Sequence, residues 1–240
     1  MRQSWRHLLF AHWSLAPEKL KGYLPEGLEP DLFEGKAWIG IVPFYMQKVR
    51  PVGFPALPWI SDFLELNVRT YVRGPDGTRG VWFFSLDCDQ PLAVEVARLF
   101  FKLPYYHARI KAEIRNGIMD YRCWRYDKRS PVKGKGESGW RYRLPHQVSP
   151  ALSGSLEYFL VERYVLFSQS GRQLYNGRVE HRPYEIAVVE LQGWDSVPLQ
   201  LDGLPTVITA PEHVCYSPGV DVNIYPLGRV CSKTLSQPES

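Results

Sequence analysis

The clearest pattern in this chain is a strict alternation of polar and apolar residues over residues 65–71. A period of two predicts a β-strand whose two faces differ. One face carries Glu65, Asn67, Arg69 and Tyr71, and the other carries Leu66, Val68 and Thr70. Because the apolar face must pack on a core, the polar face is either a solvated surface or the lining of a cavity. The choice between these interpretations decides what the protein does.

A second alternation covers residues 107–115 and is followed by Asn116–Gly117, which favours a two-residue hairpin turn into a strand over residues 118–126. His107 and Arg109 lie on the polar face of this first strand. Runs of β-branched and aromatic residues predict further strands at residues 36–49, 63–73, 80–87, 163–168, 173–180 and 186–191.

One segment has helical periodicity instead. Pro91 suits a first helical turn, Pro104 ends the segment, and the apolar positions between them recur at helical spacing: Leu92, Val96, Leu99, Phe100 and Leu103. Short helical turns are predicted at residues 17–20 and 156–161, and the tail after residue 198 is expected to be turn-rich. Many strands with one clear helix make this a mainly β chain.

The composition agrees with this fold class, because 20 Pro and 19 Gly among 240 residues suit strands joined by turns. The four cysteines are far apart and form no C-x-x-C pair, so we expect neither a metal site nor a disulfide framework. No signal peptide and no membrane-spanning run is recognisable. We therefore expect a cytoplasmic protein without a cofactor or a membrane partner, and homo-oligomerisation stays open.

The densest basic stretch is residues 122–143, where aromatic residues are interleaved with Arg122, Arg125, Lys128, Arg129, Lys133, Lys135, Arg141 and Arg143. Basic and aromatic residues together can bind single-stranded nucleic acid. The same composition is typical of a solvated hairpin. The net charge of only +4 favours the hairpin and argues against a nucleic-acid partner.

Five stretches form a set of motifs: LPEGLE (24–29), GKAWIGI (35–41), ELNVRTYV (65–72), WFFSLD (82–87) and LPYY (103–106). As a set they resemble an uncharacterised bacterial family, YqjF-like, that is grouped by fold with acetoacetate decarboxylase. The resemblance covers residues 4–230. It implies a single domain over residues 1–240, built as a large antiparallel, cone-shaped β-barrel with a few flanking helices and an interior ligand cavity.

The resemblance implies a candidate chemistry. In acetoacetate decarboxylase, a lysine that follows the helix forms a Schiff base with a β-keto acid. This chemistry needs an amine whose pKa is lowered by desolvation or by a second cation. The present sequence departs from the pattern, because instead of a lysine pair it has Lys102 within one or two positions of the expected place. Glu65 resembles an acidic residue of the decarboxylase site. If the protein is an enzyme, we expect it to be carbon–carbon lyase-like but not an efficient acetoacetate decarboxylase.

Three hypotheses remain. The first is a protein that binds a small organic acid in the cavity, with Arg69 or Arg109 holding the carboxylate and with the proline-rich loop 50–60 closing the mouth. The second is a lyase acting on a keto acid through Lys102, and the third is a nucleic-acid-associated protein acting through residues 122–143. The expected ligand-binding residues are Glu65, Asn67, Arg69, Trp82, Phe84, Tyr105, Tyr106, His107 and Arg109.

Overall fold

The computed structural model describes residues 1–56, 60–132 and 136–231, in which strands dominate. The strands are β1 (Arg2–Leu15), β2 (Glu29–Pro30), β3 (Ala37–Arg50), β4 (Phe63–Arg73), β5 (Arg79–Cys88), β6 (Tyr105–Arg115), β7 (Ile118–Arg125), β8 (Glu137–Arg143), β9 (Ser149–Pro150), β10 (Val165–Ser170), β11 (Gln173–His181), β12 (Glu185–Val188), β13 (Leu191–Gly193), β14 (His213–Ile224) and β15 (Gly228–Arg229). The helices are α1 (Pro17–Lys21), α2 (Pro91–Phe101), α3 (Leu156–Val161) and α4 (Val197–Leu201). The predicted mainly β fold class is confirmed.

Seven strands form a closed ring in the order β4, β5, β10, β11, β14, β1, β3 and back to β4. Neighbouring strands of the ring are antiparallel except β5 and β10, which are parallel. Closure removes the free edges that an open sheet would present. The ring encloses an interior, so each of its strands has one face toward that interior and one face outward.

A second sheet, β6–β7–β8–β13, continues from the ring through a parallel pairing of β5 with β6. Its apolar face covers the outer face of part of the ring. Leu66 and Val68 of β4 lie in one buried cluster with Ala108 and Ile110 of β6. Strand β4 is consequently buried on both faces, and its polar side chains point into the ring.

The interior of the ring has its own apolar cluster, to which helices α2 and α3 contribute Val94, Phe159 and Leu160. Strand β1 reaches this interior with Trp5 and Leu8, which are three positions apart. A left-handed residue between them, His7 at φ 53°, interrupts the pairing of β1 with β3 and resets the alternation.

The predicted hairpin around Asn116–Gly117 is confirmed, as are the helices beginning at Pro17, Pro91 and Leu156. The predicted apolar face of α2 is not its buried face, because Leu92, Val96, Leu99 and Phe100 are exposed and Val94 is buried. The turn-rich tail is wrong for residues 213–224, which form the long strand β14. Strand β1 was not predicted at all. Residues 57–59 of the expected mouth loop and residues 133–135 of the basic stretch lie outside the described residues.

Candidate functional site

A cavity of about 70 Å³ lies inside the ring. Its walls are mainly apolar, with Leu8, Phe44, Val81 and Leu166 among them. Three consecutive inward-facing residues of β4 interrupt this apolar lining, namely Glu65, Asn67 and Arg69. All three are buried, with exposures of 2%, 6% and 8%. Strand β4 thus places a carboxyl group, an amide and a guanidinium in a row along one wall of an enclosed space.

Arg69 is held by neutral groups. Its Nη2 donates to the Leu160 carbonyl at the end of α3 over 3.0 Å and to the Tyr71 hydroxyl over 3.3 Å. Its guanidinium carbon lies 5.2 Å from the centre of the Phe10 ring. Within the described residues, Arg69 forms no ion pair with a carboxylate, and its Nε has no hydrogen-bond partner. The cavity wall therefore carries a buried positive charge that no carboxylate of the described residues pairs with.

Glu65 does not neutralise that charge. Its carboxyl group accepts a hydrogen bond from the Tyr105 hydroxyl over 2.9 Å, and its backbone carbonyl accepts one from the Tyr121 hydroxyl over 2.8 Å. Burial raises the pKa of Glu65 to about 8, although the Tyr105 hydrogen bond acts in the opposite direction. Glu65 is accordingly a neutral carboxylic acid at pH 7, able to donate a hydrogen bond.

We expect the buried Glu65 to make stability fall as the pH rises. Its folded pKa lies above its ordinary value of 4.5, so its contribution is fully present below pH 4.5 and is lost as the pH rises through about 8. Because Gln imitates the protonated acid, Glu65→Gln should remove this loss. The difference should reach a few kcal/mol, at about 1.4 kcal/mol per pKa unit. Urea unfolding across this pH range measures it.

The control for this prediction is Glu137→Gln, since Glu137 is an exposed residue of the second sheet. That variant should keep the pH dependence of the wild-type protein. If Glu65→Gln and the wild-type protein lose the same free energy of unfolding between about pH 5 and about pH 9, Glu65 is not protonated in the folded protein.

Two further polar groups of the lining have unsatisfied atoms. The Oδ1 of Asn67 and the Nη2 of Arg163 are buried and have no hydrogen-bond partner among the described residues. Arg163 follows α3, and its Nη1 donates to the fully buried Asp31 over 2.7 Å. Asp31 also accepts from Arg73 and Arg79, so three guanidiniums surround one carboxylate. Of these three guanidiniums only that of Arg163 lines the cavity, where it places a second buried guanidinium in the wall.

The sequence did not point to Arg163. No alternation surrounds it, and its position depends on α3 folding back over the ring. The sequence did not point to a contact between His12 and His213 either, because they are far apart in the chain. Their rings meet where β1 pairs with β14. Tyr184, another cavity residue, lies in the connection between β11 and β12.

The structure does not place Trp82 and Phe84 in the cavity. Along β5, Val81 and Phe83 point inward, so the residues after each of them point outward. Trp82 packs with Val72 and Phe167 on the outside of the ring. Both aromatic residues line a surface groove between the end of α2 and β10, which we call the outer groove.

Lys102 lies in the outer groove as well. It ends α2 in a left-handed conformation, at φ 52°, and its Nζ lies 5.2 Å from the centre of the Tyr175 ring. The next residue, Leu103, is the one that lines the cavity. Among the described residues that line the cavity, none is a lysine. The sequence left open whether Lys102 reaches the cavity, and the structure places its side chain in the outer groove.

Of the remaining expected residues, only Tyr105 lines the cavity. Tyr106, one residue later on β6, points outward and packs under the guanidinium of Arg125 at 4.6 Å. His107 lies at the surface, where its Nε2 is 3.1 Å from the Glu95 carboxylate. Arg109 is exposed on the outer face of the second sheet. The alternation of β6 predicts a polar face correctly, but that face meets solvent.

The basic stretch 122–143 is largely paired in the described residues. Arg122 contacts Asp120 and Glu137, and Arg141 lies 3.9 Å from Asp120. Arg125 is buried and contacts Asp87 over 2.6 Å. These pairings leave less positive charge available to a nucleic acid than the sequence suggests.

Comparison with known proteins places the chain in a family. The model of the family DUF2071, described as an uncharacterized conserved protein, matches residues 2–221. The chain is also 36% identical over 232 residues to "Uncharacterized protein YqjF" of Bacillus subtilis strain 168, covering 95% of this chain and 91% of that protein. The chain belongs to the DUF2071 family. This confirms the resemblance to the YqjF-like family.

Solved structures share the fold of this DUF2071 member. Acetoacetate decarboxylase from Legionella pneumophila superposes with a TM-score of 0.62 at 14% identity, over 96% of this chain and 88% of that chain. The enduracididine biosynthesis enzyme MppR, complexed with pyruvate, superposes with a TM-score of 0.62 at 13% identity, over 98% and 92%. At such identities the likeness establishes the acetoacetate decarboxylase-like fold. Within the described part of the chain, no helix has the length and apolar character that crossing a bilayer requires.

Proposed function

We propose that this protein binds a small carboxylate with an apolar body in the interior cavity, and that Arg69 holds the carboxylate. One observation carries the proposal: Arg69 is a buried guanidinium that lines the cavity and has no carboxylate partner among the described residues. Buried charges are normally paired, because removing an ion from water without a counter-charge is costly. A bound anion would supply the missing partner.

The chemistry of arginine favours a carboxylate as that anion. A guanidinium presents its donors in a planar fork that matches the two oxygens of a carboxylate. Arg69 keeps its Nε free, while its contacts with Leu160 and Tyr71 fix the orientation of the group. Such a pre-oriented donor loses little conformational entropy when the ligand binds.

The other residues that line the cavity restrict the chemical class of the ligand further. Glu65, as a neutral acid, can donate a hydrogen bond to a carbonyl or hydroxyl oxygen of the ligand, and Asn67 has an acceptor without a partner. The apolar walls and the small volume favour a short aliphatic body. The pyruvate complex of MppR, a protein of the same fold, agrees with a ligand of this class.

The two alternatives receive less support. Imine formation needs an amine in contact with the substrate. Lys102 lies in the outer groove and not in the cavity, so it does not meet this requirement for a ligand inside the ring. The expectation that the protein is not an efficient acetoacetate decarboxylase stays a prediction. The nucleic-acid hypothesis is weakened because Arg125 is buried and because Arg122 and Arg141 lie beside carboxylates.

The proposal is tested by thermal unfolding in the presence of acids and their matched amides. Acetate, 2-methylpropanoate, pyruvate and acetoacetate form the acid set, and acetamide, 2-methylpropanamide and pyruvamide form the control set. A ligand at about 100 times its Kd stabilises the folded protein by about 2.7 kcal/mol. For a chain of this size that raises the Tm by roughly 5–10 °C. We expect acids to raise the Tm and amides to leave it unchanged.

Variants locate the binding site in the same experiment. Arg69→Met should abolish the acid-dependent shift, whereas Arg109→Met and Lys102→Met should keep it, because both of those side chains lie outside the cavity. Equal stabilisation by acids and amides would show that binding does not depend on a carboxylate. A shift that is lost in Lys102→Met and kept in Arg69→Met would instead support chemistry in the outer groove.

A further inference from the structure

A series of polar side chains leads from Arg69 inside the ring to the partly exposed Glu157 of α3. The Tyr71 hydroxyl lies 3.3 Å from Arg69 Nη2 and 2.7 Å from His12 Nε2. His12 Nδ1 lies 3.0 Å from His213 Nδ1. His213 Nε2 lies 4.0 Å from the carboxylate of Glu157, whose side chain is 34% exposed. We call His12 and His213 the histidine pair.

The contact between the two Nδ1 atoms limits how many protons the pair can hold. One Nδ1 must donate and the other must accept, so the pair can take up one proton beyond its neutral state. One neutral arrangement gives most of these groups a hydrogen-bond partner. In it the Tyr71 hydroxyl donates to His12 Nε2, His12 Nδ1–H donates to His213 Nδ1, and the Nε2–H of His213 faces Glu157. The Nε2 of His213 has no hydrogen-bond partner among the described residues.

The position of the pair is built into the strands around it. His12 is fully buried, and His213 is 7% exposed. A Cβ atom at Gly40, on the neighbouring strand β3, would lie 2.6 Å from His12 Cδ2, so this position needs glycine to accommodate the imidazole. Phe10 stacks on His12, and the guanidinium of Arg69 lies over the same Phe10 ring. An apolar ring thus separates two groups that interact electrostatically.

Burial and the positive charge of Arg69 disfavour a proton on the pair. The titratable or charged groups that face it or its hydrogen-bond partners are Arg69 and Tyr71 of β4, Cys215 of β14, Glu157 of α3, Arg163 over the Tyr71 ring, and Glu212, whose carboxylate is turned to Ser14. Burial lowers the pKa of His12 well below its ordinary value, and His213 and Arg69 lower it further. Burial also lowers the pKa of His213, against the attraction of Glu157.

We propose that the histidine pair is a proton-binding site coupled to the anion site at Arg69, so that a carboxylate and a proton bind together. This inference rests on the proposed function. An anion beside Arg69 offsets the positive charge that repels a proton on the pair, and the negative charge of Glu157 also favours that proton. The 4.0 Å between His213 Nε2 and Glu157 is an electrostatic contact and not a hydrogen bond, and uptake of the proton changes only N–H and O–H bonds.

The coupling has a measurable size. If binding of a carboxylate takes up one proton, the affinity depends on pH between the pKa of the pair in the free protein and its pKa in the bound protein. In that range the affinity increases up to tenfold for each unit by which the pH falls. Glu65 faces the same cavity and also titrates. The test must therefore observe the imidazoles themselves.

The experiment is a pH titration of the full chain labelled with ¹⁵N in its histidines and arginines, followed by NMR. His12→Gln and His213→Gln assign the signals of the pair. Acetate is the probe, acetamide is its uncharged control, and the Nε signal of Arg69 reports whether acetate has arrived. We expect acetate, but not acetamide, to raise the pH at which the pair protonates. Arg69→Met without ligand should raise it too, while Arg109→Met should not.

The outcomes separate this inference from the proposed function. If acetate shifts the Arg69 signal and the titration of the pair does not move, the coupling is wrong and the anion site stands. If acetate shifts neither signal at any concentration, the anion site at Arg69 is wrong and the inference fails with it. If the pair titrates identically in Arg69→Met and in the wild-type protein, the inference is also overturned, because no electrostatic coupling exists.

Discussion

Replacing Arg69 with methionine is expected to abolish carboxylate binding without destabilising the free protein. The expectation follows from the environment of the guanidinium, which is buried, lines the cavity and has no carboxylate partner among the described residues. Methionine keeps much of the volume of the side chain and removes the charge. Loss of one partner of a buried charge pair weakens binding by about 2–5 kcal/mol, which is roughly 30-fold to several thousand-fold in Kd.

The free energy of unfolding of Arg69→Met, measured without ligand, should be equal to or larger than that of the wild-type protein. An uncompensated buried charge is a cost that the substitution removes, and the hydrogen bonds it loses, to Leu160 and Tyr71, are made with neutral groups. Urea unfolding and calorimetric titration with the best acid of the panel measure the two quantities. A variant that is strongly destabilised and still binds the acid would show that Arg69 has a structural role instead.

Arg125→Met is expected to have the opposite effect on stability, with a loss of about 3–5 kcal/mol in the free energy of unfolding. Arg125 is also buried, but it contacts Asp87 over 2.6 Å and Asp202 over 2.5 Å, and it donates to Ser85 over 2.7 Å. Its removal would leave two buried carboxylates without a counter-charge. For a chain of this size the Tm should fall by roughly 6–20 °C.

The matched control for Arg125→Met is Arg122→Met. Arg122 is three residues earlier on β7, contacts Asp120 and Glu137, and has a side chain that is 52% exposed. Exposed ion pairs contribute little, so this variant should lose less than about 1 kcal/mol. Adding Asp87→Asn and Asp202→Asn to Arg125→Met should recover part of the loss. Equal stabilities of the two single variants would contradict the role assigned to the buried pairs.

The comparison of β4 with β6 shows what the sequence could and could not predict. Both strands alternate, and both polar faces were predicted correctly. The apolar residues Leu66 and Val68 pack in the same cluster as Ala108 and Ile110, so the two polar faces point away from each other. One faces the interior of the ring and the other faces solvent. Alternation fixes which residues share a face, but only the tertiary arrangement decides what that face meets.

The strands that close the ring were less visible in the sequence. In β1 the left-handed His7 breaks the period of two. In β14 the sequence Ser217–Pro218–Gly219 has the composition of a turn, yet Gly219 lies against β1, where a Cβ would be 2.0 Å from the Trp5 carbonyl oxygen. Local propensity favours a turn at this point, and the pairing of the two strands overrides it.

The candidate site was predicted in part for related reasons. Glu65, Asn67, Arg69 and Tyr105 line the cavity, whereas Arg163 and the histidine pair depend on contacts between residues far apart in the chain. To place Trp82 and Phe84, one must know which residues of β5 point into the ring. Because β5 carries apolar residues on both faces, its sequence shows no alternation that would tell the two faces apart.

The position of a bound carboxylate tests the central claim most directly. Crystals of the protein grown with the acid that gives the largest thermal shift should show the carboxylate inside the ring, with an oxygen within hydrogen-bond distance of the Arg69 guanidinium and with the aliphatic body against the apolar wall. A carboxylate bound beside Lys102 in the outer groove, or beside Arg109 on the second sheet, with the cavity unoccupied, would contradict the account.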